Sequence, residues 1–425
     1  MTARAPTESG SRIAVIGTGV AGMAAAWMLA RRHEVVVYEA ESRYGGHVHT
    51  HDVVDPRGPL AVDTGFIVCN DRTYPNLMAL FGLLGVETRD SSMSFSVRCD
   101  ATDFEYNGTS LNTLVAQRTN LLRPKFWGMV RDILRFNREA PEVLELPAPG
   151  PTLGEYLSSR GYGSWFVDRY LVPMSAAIWS AEPAGIMKFP ARFMVRFFHN
   201  HGMLSVDDRP MWKTVVGGSR AYARKLMAPL EGRVRLASPV VGIVRHADGV
   251  DVRTANGAER FDGVVVATHT DTALGLLTDP SPDEREILSA IPYQENEAVL
   301  HTDRRLLPRR PLARAAWNYH ITEKPSSRVA VTYWMNRLQG LEATDDWCVT
   351  LNRTEAVDPS KIVRRVTYHH PVFSMRGVDA QERHHTIQGV RRTWFCGAWM
   401  RWGFHEDGLW SALQVTRDFG LGLAP

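Results

Sequence analysis

Cysteine is scarce in this chain: Cys69, Cys99, Cys348 and Cys396 are four in 425 residues, scattered and without a CxxC spacing. That excludes a disulfide-dense scaffold, implies no zinc site, and points to a reducing compartment. No apolar run reaches the length of a membrane span, and the polar opening Met1 to Ser11 lacks the apolar core of a signal peptide. A cytoplasmic protein is expected, with peripheral contact at the inner face of the membrane left open. Excess charge is small too. The formal net charge is +3, and no basic tract extends beyond pairs such as Arg304-Arg305 and Arg309-Arg310, so nothing argues for nucleic acid. Ser219 does not stand in a G-x-S-x-G elbow, because position 221 is Ala221, which removes a serine hydrolase.

What is present is a strand, turn, helix and strand between Arg12 and Glu39. The apolar run Ile13-Ala14-Val15-Ile16 meets Gly17-Thr18-Gly19-Val20-Ala21-Gly22, an Ala-rich helix follows, and Val35-Val36-Val37-Tyr38 ends at Glu39. Gly17 allows the turn, Gly19 lets backbone approach a pyrophosphate, and Gly22 lets the helix lie close on the sheet. The helix start offers unpaired N–H groups and partial positive charge to the phosphates. Glu39 falls at the spacing from which a carboxylate accepts both hydroxyls of an adenosine ribose.

Ala40 to His47 adds Arg43 and the pair Gly45-Gly46, a second cluster able to approach phosphate or ribityl groups. A nicotinamide enzyme needs no second cluster, whereas the long reach of FAD does. Together Gly17, Gly19, Gly22, Glu39, Arg43, Gly45 and Gly46 resemble the opening of the flavin amine oxidase superfamily, which includes amine oxidases, carotenoid desaturases and protoporphyrinogen oxidases. His47 stands where many of those sequences carry arginine.

The resemblance continues through Val62-Asp63-Thr64-Gly65-Phe66, similar to the acidic-Gly turn at the flavin's edge, although Asp63 also reads as an ordinary turn residue. A Gly217-Gly218 turn opens a helix in the family's manner, and the resemblance implies that Val240 or Val241 offers backbone to the adenine end. At the other end Trp394-Phe395-Cys396-Gly397-Ala398, then His405-Glu406-Asp407-Gly408-Leu409, reads as strand, loop and helix. The family ends the same way, with Asp407-Gly408 presenting N–H groups and an acid to the cofactor. Cys396 has two readings, a covalent flavin attachment or a buried structural thiol.

The implied fold is α/β: a Rossmann-like FAD-binding domain of the GR2/amine-oxidase type, discontinuous over 11–70, 214–272 and 389–423. An α+β substrate domain over 71–213 and 273–388 is interleaved with it. Within the latter, Leu77, Leu80, Phe81 and Leu84 space a helix, and Met93 to Val97 with Phe104 to Tyr106 predict a hairpin. The proline-rich stretch Pro141 to Pro151 is a linker, Thr152 caps a helix, and Val299–Thr302, Val329–Tyr333 and Trp347–Leu351 read as strands. Tyr293, Asn318, Tyr333 and Asn336 are candidates for a pocket wall. His47, His49 and His51 alternate and read either as metal ligands or as a polar strand edge beside the cofactor. No carboxylate or cysteine cluster completes a metal shell, so no metal is expected.

In amine oxidases a lysine near the flavin commonly comes from the strand after the cofactor segment; here Glu295 to Leu300 contains none. Phrases such as Asp63 to Val68, Phe198-His199-Asn200-His201-Gly202 and Gly403 to Gly408 resemble a bacterial branch of predicted NAD/FAD-binding proteins linked with fatty acid methyltransferases. That resemblance implies an FAD-dependent enzyme taking hydride onto flavin N5 from an unsaturated or methyl-branched acyl lipid, as desaturase or double-bond isomerase. The alternatives are an amine or polyene oxidase, or a non-catalytic flavoprotein partner of a lipid methyltransferase. His199 and His201 are the candidate bases, since imidazole titrates near neutrality.

Overall fold

The computed structural model describes residues 9–205, 209–323 and 328–424. The predicted crossover forms as β1 (Arg12–Ile16), α1 (Val20–Leu29) and β2 (Glu34–Tyr38), with Ile16 opposite Tyr38 in a parallel pair. Three further parallel strands complete a five-stranded sheet: Val234–Arg235 beside β2, then Gly263–Val266 and Thr393–Phe395 beyond β1. Strand side chains alternate between faces. Thus Ile13, Val15, Val35 and Val37 enter one apolar cluster with α1 and the last helix, His405–Asp418. Ala14, Ile16, Val36 and Tyr38 enter another with the antiparallel meander of Val240–Arg245, Val250–Thr254 and Gly257–Phe261. Both faces are covered, which is why β1 and β2 read as continuous apolar runs.

A seven-stranded sheet makes the second half of the fold, running from the edge strand Ile362–Pro371 through Tyr293–His301, Cys348–Leu351, Val331–Trp334 and Trp317–Ile321 to Phe95–Cys99 and Phe104–Asn107. The predicted hairpin is its far edge, with Val97 opposite Tyr106. Two of its strands, Trp317–Ile321 and Ile362–Pro371, escaped the sequence reading. Helices cover it with the largest apolar cluster, rich in aromatics such as Trp179, Phe189, Phe193 and Phe197. The Pro141 to Pro151 stretch begins inside a 3-10 turn, Ala140–Glu145, and the helices flanking it, Pro124–Glu139 and Leu153–Ser159, join that same cluster. Thr152 caps the second of these through a reciprocal bond pair with Glu155. No helix among the described residues is long and apolar enough to cross a membrane.

Candidate functional site

Three glycine-bearing turns meet at the C-terminal end of β1. Gly17 has φ +95°, and a Cβ there would lie 2.8 Å from the Ala267 carbonyl oxygen; one on Gly22 would lie 1.9 Å from that of Gly17. These two positions tolerate only glycine. Gly19 differs, because a Cβ there would meet nothing within 4 Å: it faces open space at the start of α1. No side chain caps α1, so its first N–H groups have no side-chain acceptor. The second turn is close by, since a Cβ on Gly46 would stand 3.2 Å from Gly19 Cα. The third comes from the last helix, where a Cβ on Gly408 would stand 2.6 Å from Val20 Cγ1 and 3.7 Å from the Ala21 nitrogen. Both ends of the chain therefore converge on one cradle, with Leu409 fully buried behind it.

Glu39, the residue after β2, is half-buried and accepts the Thr18 N–H at 2.9 Å and the Thr18 hydroxyl. Ala40 is exposed beside it. Arg43 donates to the carbonyls of Gly46 (2.9 Å) and Val48 (3.2 Å), which bends its own loop into shape. In the meander, pairing slips between Val240 and Gly242, leaving Val241 as a bulge residue that is 63 % exposed. Its backbone groups are out of the ladder, free to meet an external partner.

The carboxyls of the other candidate turns turn inward. Asp63 is fully buried and accepts the Ser219 N–H (2.9 Å), the Ser219 and Thr50 hydroxyls and the Gln339 amide (2.8 Å). Burial still pushes it up to about 6. It joins the turn before Gly65 to the Gly217-Gly218 turn, and so is a structural hub. Asp407 accepts the Phe404 N–H at 2.9 Å and caps the last helix, while Glu406 accepts the Leu77 N–H at 2.9 Å and both Asn76 donors, capping the helix Pro75–Leu84. Gly397 donates to the Ser411 hydroxyl at 2.8 Å just before Ala398. Cys396 is wholly buried in the apolar cluster, and burial pushes its thiol up to about 12, so it is no thiolate nucleophile.

Above the glycines stands a wall of imidazoles and phenols. His47 stacks on Tyr368 with centroids 4.8 Å apart and lies 5.2 Å from His370. Its Nε2 is buried without a hydrogen-bond partner. Burial, then the neighbouring His370, His269, His405 and Arg43, hold it far below the ordinary histidine range. His405 stacks on Phe66 at 3.8 Å, its Nε2 is also without a partner, and burial lowers it to about 3. Phe66 is pinned through its N–H to the His47 carbonyl at 2.7 Å, and Gly65 is obligatory because a Cβ would lie 2.1 Å from that same oxygen. His370 is lowered to about 4 by burial; its Nδ1 accepts from the Asn296 amide at 3.0 Å, and Asn296 in turn accepts from Asn352 at 2.7 Å. His269 stacks on Tyr293 at 4.1 Å.

His49 and His51 sit with ring centroids 4.1 Å apart. Thr64 bonds His51 Nε2 at 3.1 Å and the Tyr368 hydroxyl at 2.7 Å, and that hydroxyl bonds His49 Nδ1 at 3.2 Å. Only His51 of the three alternating histidines lies in a strand, Thr50–Asp55; His47 and His49 belong to the loop before it. The structure does not bring His199 or His201 to this wall. His199 is exposed at the end of the helix Ala191–Asn200; His201 is buried, stacks on Phe197 at 3.8 Å and bonds its carbonyl oxygen through Nδ1 at 2.9 Å. Burial lowers His201 to about 4, a weak base at neutral pH. Sequence reasoning named Tyr293 but missed His269, Tyr368 and His370. A signal existed for the last two, because Val363 to Pro371 is rich in β-branched and aromatic residues and ends on proline.

The residues fit a dinucleotide flavin. An open Gly19, an uncapped α1, a ribose-spaced Glu39 and two partnerless buried imidazole nitrogens all face the same end of the sheet. Residues 20–405 match the family described as flavin containing amine oxidoreductase. The "Putative flavin-containing monoamine oxidase AofH" of Mycobacterium tuberculosis is 28 % identical over 282 residues, which is 63 % of this chain and 59 % of that protein. The match thus spans little more than half of that relative. Among solved structures, cyclohexylamine oxidase from Brevibacterium oxydans aligns with TM-score 0.68 at 14 % identity, covering 97 % of this chain and all of that one (100 %). A fatty acid isomerase from P. acnes that produces CLA aligns with TM-score 0.67 at 17 % identity, over 96 % and 98 % of the two chains. These likenesses establish the fold, and the match across 20–405 establishes the lineage: this chain belongs to the flavin-containing amine oxidoreductase family, and its cofactor is FAD.

Proposed function

We propose that this FAD-dependent oxidoreductase acts on the acyl chain of a lipid, unsaturated or methyl-branched, as a desaturase or double-bond isomerase. Bound in the cradle, FAD supplies a two-electron acceptor for hydride from an activated C–H bond. In this reading Gly17, Gly19, Val20, Ala21 and Gly22 hold the pyrophosphate, Glu39 and Ala40 the ribose, and Val240 and Val241 the adenine end. Arg43, Gly45, Gly46, Thr64, Gly65, Phe66, Gly397, Ala398, Asp407, Gly408 and Leu409 shape the flavin end.

One observation carries the substrate class: burial holds the imidazoles of His47, His370 and His405 neutral at neutral pH. After burial, the groups that most affect His47 are three further histidines and Arg43. Asn296 occupies the strand where a lysine was sought, and it is bonded to His370. A hydrocarbon enters such a wall without loss of charge solvation, whereas an ammonium does not. The aromatic tract Phe404, Phe197 and Trp179, with rings 5.1 Å and 4.9 Å apart, leads away from the same last-helix loop. His47 and His370, rather than His199 and His201, orient the reacting carbon and exclude water.

Mass analysis of phospholipid recovered after incubation tests this. Loss of two hydrogens means desaturation, and a shifted double bond at constant mass means isomerisation. Unchanged lipid refutes the reading. The rival is amine oxidation, supported by the name of the mycobacterial relative; hydrogen peroxide released with amines establishes it.

A further inference from the structure

Among the described residues, five of the twelve exposed large apolar side chains lie in one short stretch: Leu111, Leu121, Leu122, Trp127 and Leu134. Leu122 is 86 % exposed and Leu111 83 %. Single exposed leucines need no explanation, but this clustering does. The helix Pro124–Glu139 buries Phe126, Met129, Asp132 and Phe136 against the protein. Its opposite face carries Pro124, Trp127, Arg131, Leu134 and Arg138, at spacings of three and four, so these form one stripe along the helix. Trp127 and Leu134 stand about 10 Å apart on it, by the rise of an α-helix. The Trp127 indole donates to the Leu121 carbonyl at 3.0 Å, which holds the Leu121-Leu122 tip beside the stripe.

Along the sequence the charge is one-sided, with Asp103 beside Arg123 and Glu139 paired with Arg138 as the neighbouring acids. Leu111 to Arg131 contains Arg118, Arg123, Lys125 and Arg131 and no acid. The next acid, Asp132, is buried, with one oxygen on the Gly163 N–H and the other on Arg131. Arg131 and Arg138 side chains are 77 % and 76 % exposed.

We propose that this face docks on an anionic phospholipid bilayer, with Leu121, Leu122, Trp127 and Leu134 entering the headgroup boundary and the arginines and Lys125 meeting lipid phosphates. The interleaving decides for a membrane over a protein partner. A protein interface core is depleted in lysine and acids and excludes charge from its centre, whereas an interfacial helix carries Arg and Lys flanking a Trp–Leu face at headgroup level. This inference stands apart from the substrate reading, because docking is measured without turnover.

The test is sedimentation of the FAD-loaded protein with vesicles of phosphatidylglycerol and phosphatidylcholine, and with phosphatidylcholine alone. Binding to the anionic vesicles is expected, weakened by salt, with little on the neutral ones. The triple substitution Leu121→Ser, Leu122→Ser, Trp127→Ala should weaken binding about tenfold or more, and so should Arg131→Glu with Arg138→Glu. Both variants are checked for wild-type flavin absorbance, and Val54→Ser, on an exposed hairpin elsewhere, leaves binding unchanged. No vesicle binding, or binding indifferent to both variants, overturns the proposal. Self-association that the triple variant abolishes, without vesicle binding, overturns it in favour of a second copy of the chain.

Discussion

The imidazole of His47 lies nearly flat on the phenol of Tyr368, centroids 4.8 Å apart and planes 27° from parallel. His47 belongs to the loop after β2 in the parallel sheet, and Tyr368 to the edge strand of the seven-stranded sheet. The contact ties the loop after β2 to the seven-stranded sheet and leaves Nε2 buried without a partner at the junction.

His47→Phe keeps an aromatic ring on Tyr368 and removes the nitrogen. The variant should retain its flavin absorbance while the rate of flavin reduction by acyl lipid falls about tenfold to a hundredfold. His199→Gln, at an exposed position, should reduce flavin at the wild-type rate. Stopped-flow absorbance under anaerobic conditions reads both.

Gly19 and Gly22 should separate binding from folding. Gly22→Ala places its Cβ against the Gly17 carbonyl and should destabilise the chain by about 3 kcal/mol, seen as a lower urea midpoint. Gly19→Leu meets no protein atom near its Cβ, so the apoprotein should unfold as wild type does. Its side chain enters the phosphate approach instead, and FAD titration should show affinity lost by a factor of about a hundred or more.

Asp63→Asn sets an amide N–H₂ against donors from Ser219, Thr50 and Gln339. A buried donor left facing donors costs about 3 kcal/mol, and urea unfolding should show it without change in the slope of the transition. A midpoint equal to wild type would remove Asp63 as the hub.

The buried and half-buried histidines predict acid sensitivity. His51, His201, His301 and His370 are lowered to about 4, and His405 and His49 to about 3, mainly by burial. Unfolded, each titrates near 6.5, so the unfolded chain binds more protons between that pH and 4. Their stability contribution is full above pH 6.5 and is lost as pH falls through the folded values. Asp63 and Asp407, raised to about 6 and about 7, oppose this, gaining stability as pH falls. Six imidazoles outweigh two carboxyls, and the melting temperature should drop steadily from pH 6.5 to 4. A melting temperature that rises over that range contradicts the balance.

The cofactor half was legible because its constraints are local. Gly17, Gly19 and Gly22 act within one turn, and β1 and β2 declare burial on both faces by unbroken apolar runs. The wall around His47 was not legible, because its members meet only through tertiary pairing. His370 reaches His47 from an edge strand whose outward residues, such as Arg364 and Arg365, break the apolar alternation. His199 and His201 stood out by their neighbours in sequence, yet a helix end directs one to solvent and the other onto Phe197. Asp407 was read as a cofactor acid; one of its oxygens also caps the last helix, a second role the sequence did not show.

The most direct measurement is the anaerobic absorbance of the purified yellow protein mixed with phospholipid bearing monounsaturated or methyl-branched acyl chains, with a primary amine in parallel. Bleaching of the flavin band by lipid and not by amine is the predicted result for a desaturase. A band unmoved by lipid, with no shifted double bond in the recovered acyl chains, and bleached by the amine would contradict the account.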